Sequence, residues 1–154
     1  MAHPAHHGPF HPTSRPPGTP YAVALGGALG TLARYAIGRG LPTAGGHFPT
    51  ATLVVNLSGS LLIGLLLPYA LAQALRRPLI RPFLITGVLG GWTTFSALAT
   101  DAALLLRSWH VALAIGDLGA TLGGGLLLVA AGFYLSPAHG YVRYPRYPRR
   151  ARRP

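Results

Sequence analysis

Apolar residues gather into four blocks, over about residues 21–40, 48–75, 82–107 and 109–135. Each block reaches the roughly 20 residues an α-helix needs to cross the hydrocarbon core of a bilayer. The links between them are short: "LPTAGG", "RRPLIR" and "RSWH". The pattern predicts an all-α integral membrane protein, with four transmembrane helices joined by tight turns. An even number of crossings puts both termini on one side. Residues 1–20 are rich in Pro and His, and residues 136–154 are rich in Arg. Neither has apolar periodicity, so both read as disordered tails around a membrane domain over residues 21–135. The first also lacks the apolar core of a signal peptide.

Charge sharpens this picture. Only 10% of the 154 residues are charged, against about a quarter in a soluble domain, and the length suits one bundle. The chain has no cysteine, which excludes disulfides, thiolate zinc sites and a Cys nucleophile. All its basic residues other than histidine are arginines. Arg15, the loop residues Arg76, Arg77 and Arg81, and the six arginines from Arg143 to Arg153 share one side of the predicted bundle. Arg39 and Arg107 fall on the other. This positive-inside bias predicts that both termini are cytoplasmic. The basic tail reads as a topology anchor against anionic head groups ahead of a nucleic-acid contact. His3, His6, His7 and His11 lack the rigid spacing of a metal site.

Three interruptions of the apolar blocks carry candidate chemistry. In "GGALGTLARY", Gly26 and Gly30 stand one turn apart, a small-xxx-small face for close helix contact. Arg34 follows on the same span. A charge there is a functional candidate, and equally a residue near a helix end that snorkels to the interface. In "TLVVNLSGSLLIG", Asn56 is the only amide in its run, with Ser58 and Ser60 nearby. Polar groups in lipid need partners, so these side chains are either interhelical glue or donors along a permeation path. In "GVLGGWTTFS", the glycines would let the third helix open near Gly90 and Gly91. The freed carbonyls would suit a hard cation such as Na⁺; a plain glycine packing face is the other reading.

Taken in order on four spans, these motifs resemble the CrcB/Fluc family of fluoride channels, over about residues 21–135. "GVLGGWTTFS" carries most of the resemblance. It implies two four-span subunits packed as an antiparallel (inverted) dimer, each with a broken third helix. It also implies a structural Na⁺, not transported, at the dimer centre. The resemblance puts that Na⁺ on the backbone carbonyls of Gly90 and Thr93. It puts a pore amide at Asn56, a pore-lining aromatic at Phe95 and the family's first-span arginine at Arg34. Fluoride is small and strongly hydrated, so a pore must replace its water with hydrogen-bond donors. Asn56 and the hydroxyls of Thr94 and Ser96 suit that task, and a Phe edge presents the positive part of the ring quadrupole. Asp101 is similar to an acidic position after the third-span motif. Pairing with an arginine or capping a hydrogen-bond network is expected of it, rather than contact with fluoride.

The chain departs from the family pattern at two points. "TTFSAL" puts Leu98 where the family has a second Phe. On the fourth span, counted back from "GLLLVAAG", Thr121 takes the place of a Ser and Asp117 that of a Tyr. A Thr can donate a hydrogen bond to the path; an ionised Asp cannot, and it repels an anion. The arginine bias is also unlike that of a protein that inserts both ways and pairs with itself. The bias points to an oppositely oriented paralogue as the partner, with a second copy of the chain as the other reading.

The resemblance implies a passive, fluoride-specific channel in a bacterial cell membrane that lowers cytoplasmic fluoride and gives resistance to it. A proton-coupled small drug exporter is the alternative; it needs an intramembrane carboxylate, for which only Asp101 and Asp117 are available. A non-conducting structural subunit of a heterodimeric fluoride channel is the third reading. No Ser/His/acid set converges, which speaks against an enzyme, and no nucleotide-binding glycine loop is present, which agrees with passive transport.

Overall fold

The computed structural model describes residues 15–41, 47–74, 76–138 and 140. Helix α1 spans Thr19–Gly40 and α2 spans Thr50–Ala72. Helix α3 has a π-wound part, Pro82–Leu89, and a terminal α-turn, Gly90–Trp92. Helices α4 (Phe95–Arg107) and α5 (Val111–Leu135) complete the body. Among the described residues, three segments are long and apolar enough to cross a membrane: Thr50–Ala72, Pro82–Arg107 and Val111–Leu135. At 22 residues, α1 has the length for a crossing, about 33 Å at 1.5 Å per residue. Its glycines and its two arginines, Arg34 and Arg39, dilute its apolar content, so it falls outside that set. The four expected spans thus divide into three strongly apolar segments and one less apolar helix.

Both ends of the packed body extend past the expected boundaries. Helix α1 starts at Thr19, with Pro20 in its first turn, where a missing N–H is no loss. Beyond α5, Ser136 is buried and its hydroxyl donates to the Leu65 carbonyl at 2.8 Å. The arginine-rich segment from Arg143 to Arg153 and the histidines His3, His6, His7 and His11 lie outside the described residues.

The helices pack as two parallel pairs joined through glycine. Along α1, Gly26 faces Gly87, and Gly30 faces the Val88 carbonyl and the Trp92 amide of α3. A methyl group at Gly30 would run into that carbonyl. Gly91 likewise packs on Gly27 and Thr31, so Gly26/Gly30 and Gly87/Gly91 interlock as two small-xxx-small faces. The α2–α5 pair repeats the device: Gly64 and Gly132 face each other, and Gly125 receives Ser60. Val55, Leu98, Ala102, Leu105 and Ala114 form the buried core where α2, α4 and α5 meet. Outward faces carry exposed Leu25, Leu29, Leu126 and Leu127, which suits a chain solvated by lipid.

Candidate permeation groove

Between α3 and α4 the chain leaves the helical path for two residues. Thr93 (φ −77°, ψ 154°) and Thr94 (φ −147°, ψ 115°) are extended. The Thr93 hydroxyl donates to the Leu89 carbonyl at 2.9 Å, finishing α3. The Thr94 hydroxyl oxygen accepts from the Ala97 amide at 3.1 Å, starting α4, as an N-cap threonine does. The opening expected near Gly90 and Gly91 therefore lies further along. Gly90 and Gly91 are helical, and Gly91 serves close contact with α1. The adjacent threonines turn the chain, because their hydroxyls offer the backbone local partners in place of the helical ladder.

Asn56 on α2 clamps this opening. Its Nδ2 donates to the Thr94 carbonyl at 3.1 Å, and its Oδ1 accepts from the Thr94 amide at 2.8 Å. A side-chain amide carries two N–H donors, so one remains after the clamp is made. Arg34 holds the other side: its Nε donates to the Gly91 carbonyl at 3.0 Å. Three amides at the opening are committed elsewhere: Thr93 N to Leu89 O, Thr94 N to Asn56 and Ala97 N to Thr94 Oγ1. None of them closes a helical bond onto the carbonyl of Gly90 or Thr93.

Two cavities meet at this point. A groove of about 400 Å³ runs along α2, α4 and α5, and Asn56, Ser60, Thr93, Thr94, Phe95, Leu98 and Thr121 are among its lining residues. A second cavity of about 330 Å³ is bordered by Arg34, Arg39, Thr52 and Thr94, among others. Thr94 borders both. Of the residues singled out from sequence, Asn56, Thr93, Thr94, Phe95 and Thr121 come together in the groove, and Arg34 stands at the second cavity. Phe95 projects outward, 78% exposed. Ser96 and Gly90 border neither of these cavities; Ser96 is exposed and shares a 3.2 Å hydrogen bond with Thr94 Oγ1. The two serines near Asn56 divide their roles. Ser58 accepts from the Trp92 indole at 3.0 Å, whereas Ser60, one turn from Asn56, lines the groove. That i+4 spacing was the signal for Ser60.

The unusual residues also find their places. Leu98 is 2% exposed and forms part of the groove wall. Asp101 accepts a 2.6 Å hydrogen bond from the Thr52 hydroxyl, so it holds a polar link between α2 and α4. Asp117 is buried and borders neither of these cavities. Among the described residues, neither its carboxylate oxygens nor the Thr121 hydroxyl has a hydrogen-bond partner.

A helical membrane body with a donor-lined groove at a helix interruption defines a small transport protein. The chain matches the model of the "CrcB-like protein, Camphor Resistance (CrcB)" family over residues 21–133, and it belongs to that family. It is similar to the fluoride-specific ion channel FluC of Rhizobium meliloti (strain 1021), 44% identical over 117 residues, 75% of this chain and 94% of that one. The protein of that name from Thermus thermophilus is 46% identical over 117 residues, 75% of this chain and 91% of its own. The fluoride-specific ion channel FluC 2 of Nocardia farcinica (strain IFM 10152) is 42% identical over 111 residues, 72% and 79% of the two chains.

Proposed function

We infer that the chain is a passive, fluoride-specific ion channel of the cell membrane that lowers cytoplasmic fluoride and so gives resistance to it. The groove carries this reading. Asn56, Thr94 and Thr121 put hydrogen-bonding groups along it, Phe95 adds an aromatic edge, and no carboxylate is among its lining residues. The spare N–H of Asn56 can replace water around a fluoride ion. The first amides of α4 lack helical acceptors and add positive potential at the same place. Arg34, on the far side of Thr94, holds its guanidinium at the second cavity, where it draws an anion toward the opening. The exporter reading needs a carboxylate in the transport path, and neither Asp101 nor Asp117 borders the groove.

The dimer and its ion belong to the same proposal. The groove needs a second wall and Phe95 needs a cover, and a partner packed antiparallel supplies both. The interruption at Thr93 and Thr94 is then the broken third span, at the centre of the pair. The carbonyls of Gly90 and Thr93, left out of the helical ladder, fit a hard cation that takes oxygen ligands. A pair from each subunit would hold one structural Na⁺. The partner is a second copy or an oppositely oriented paralogue; the one-sided arginines favour the paralogue and cytoplasmic termini for this chain.

Vesicles loaded with potassium fluoride, read with a fluoride electrode, test the reading. The expected efflux needs no pH gradient and ignores cationic dyes. Proton-coupled dye transport would overturn it, as would no fluoride efflux from the chain both alone and with such a paralogue. Robust efflux from the chain alone would discard the obligate paralogue.

A further inference from the structure

One group beside the groove has no part in this account. Asp117 on α5 is 0% exposed, and neither of its carboxylate oxygens has a partner among the described residues. One turn further on, Thr121 is 7% exposed, borders the groove and carries a hydroxyl that also lacks a partner. An ionised carboxylate taken out of water is costly unless a cation or several donors meet it. Among the described residues, the surroundings supply no counter-charge; His110, at the start of α5, is exposed. At this level α2 presents Thr52, and its one titratable side chain, Tyr69, sits near its other end. From α4 comes Asp101, a second acid, which takes a hydrogen bond from Thr52; Arg107 is exposed at the end of that helix. His47 precedes α2 and is exposed, and Tyr134 lies at the far end of α5.

We propose that Asp117 carries a proton and donates it in a hydrogen bond to Thr121 Oγ1, so that the Thr121 O–H turns into the groove as a donor for fluoride. The two orphaned groups then satisfy each other. Ionised Asp117 would do the reverse: it would accept the Thr121 proton and turn the hydroxyl lone pairs toward the groove, where they repel an anion. Asp117 is a positioning residue that acts through Thr121. Its protonated carboxyl supplies the O–H that a tyrosine at this place would bring. This inference rests on the fluoride-channel reading for its consequence, and on burial and the missing partners for its cause.

Infrared spectroscopy of the protein in lipid vesicles at neutral pH separates the two. A protonated-carboxyl C=O band is expected that Asp117→Asn removes and Asp101→Asn leaves. No such band would overturn the proposal, whether or not fluoride moves. Efflux gives the second readout. Asp117→Asn keeps a neutral donor and should run within about twofold of the unaltered chain, while Asp117→Leu should lose about fivefold or more, the value of one hydrogen bond. Efflux of the unaltered chain should decline on alkalinisation, and that of Asp117→Asn should not. An Asn variant no better than the Leu variant would overturn the positioning role. If the band is present but no variant carries fluoride, the channel reading fails and the protonated carboxyl stands.

Discussion

The α1–α3 seam and the groove along α2, α4 and α5 are made from the same kinds of residue, used in opposite ways. In the seam, glycines bring two backbones into contact, and the polar groups beside them are committed: Arg34 to the Gly91 carbonyl, Trp92 to Ser58. In the groove, threonines and an amide line open space, and the Thr121 hydroxyl there and Asp117 beside it have no hydrogen-bond partner among the described residues. A membrane protein cannot leave polar atoms idle without cost. The groove keeps the Thr121 hydroxyl beside open space, where Asp117 can orient it.

The largest effect should come from breaking the seam. At Gly30 a side chain would meet the Val88 carbonyl and the Trp92 amide, both backbone. Overpacking of this kind costs about 1–3 kcal/mol or more, and a backbone wall cannot yield by changing rotamer. Gly30→Leu should therefore abolish the monodisperse species in detergent and, with it, all efflux. Gly27 is its control, because nothing lies within 4 Å of a Cβ added there. Gly27→Leu should leave the chromatographic profile unchanged. A well-folded Gly30→Leu protein would show that the seam is loose.

Next comes the clamp that joins the two regions. Asn56→Leu strands the Thr94 amide and carbonyl, each worth about 1–3 kcal/mol when buried without a partner. A lower Tm in detergent is expected, with efflux down tenfold or more, about 1.4 kcal/mol of barrier. Asn56→Asp separates the two roles. It keeps an acceptor for the Thr94 N–H but removes the donor facing the ion, so it should recover part of the Tm and none of the efflux. Recovery of efflux by Asp would remove Asn56 from the path.

How far the sequence revealed this depends on what each signal measures. Apolar block length found the helices of the body, because crossing a bilayer is a one-dimensional requirement. Helix α1 was legible as a block but less apolar than its neighbours, since the glycines that serve the seam dilute it. The opening was placed on Gly90 and Gly91 because glycine weakens an isolated helix. Here packing against α1 holds those glycines helical, and the caps supplied by Thr93 and Thr94 turn the chain. Spacing left the role of Asn56 open; the likeness of the three motifs to one family is what put Asn56, Thr94 and Phe95 forward together. That Asp117 is buried beside the groove, not facing it, depends on how α5 is rotated about its axis. A low-charge, glycine-rich helix says little about that rotation.

A smaller effect should follow at the groove wall. Leu98→Phe restores an aromatic at the second position of the run, but Leu98 is 2% exposed. The added volume should cost about 1–3 kcal/mol, seen as a lower Tm. If an aromatic edge at this height matters to the ion, efflux per folded protein should nevertheless rise. A lower Tm without that gain would show that Leu98 only fills space and that Phe95 alone faces the ion.

The clearest separation of the two regions belongs to Thr121→Val. The two side chains have the same shape, and the Thr121 hydroxyl has no hydrogen-bond partner among the described residues. With Asp117 donating to Thr121 Oγ1, the change leaves one buried O–H without its acceptor and should lower stability by about 1–3 kcal/mol. The same substitution takes a donor out of the groove, so efflux should fall about fivefold, the worth of one hydrogen bond. Thr31→Val, on α1 at the Gly91 contact, is the matching change in the seam and should leave efflux per folded protein unaltered. If Thr121→Val keeps full efflux, the ion does not use the α5 wall, and the donors that matter are those at the opening itself.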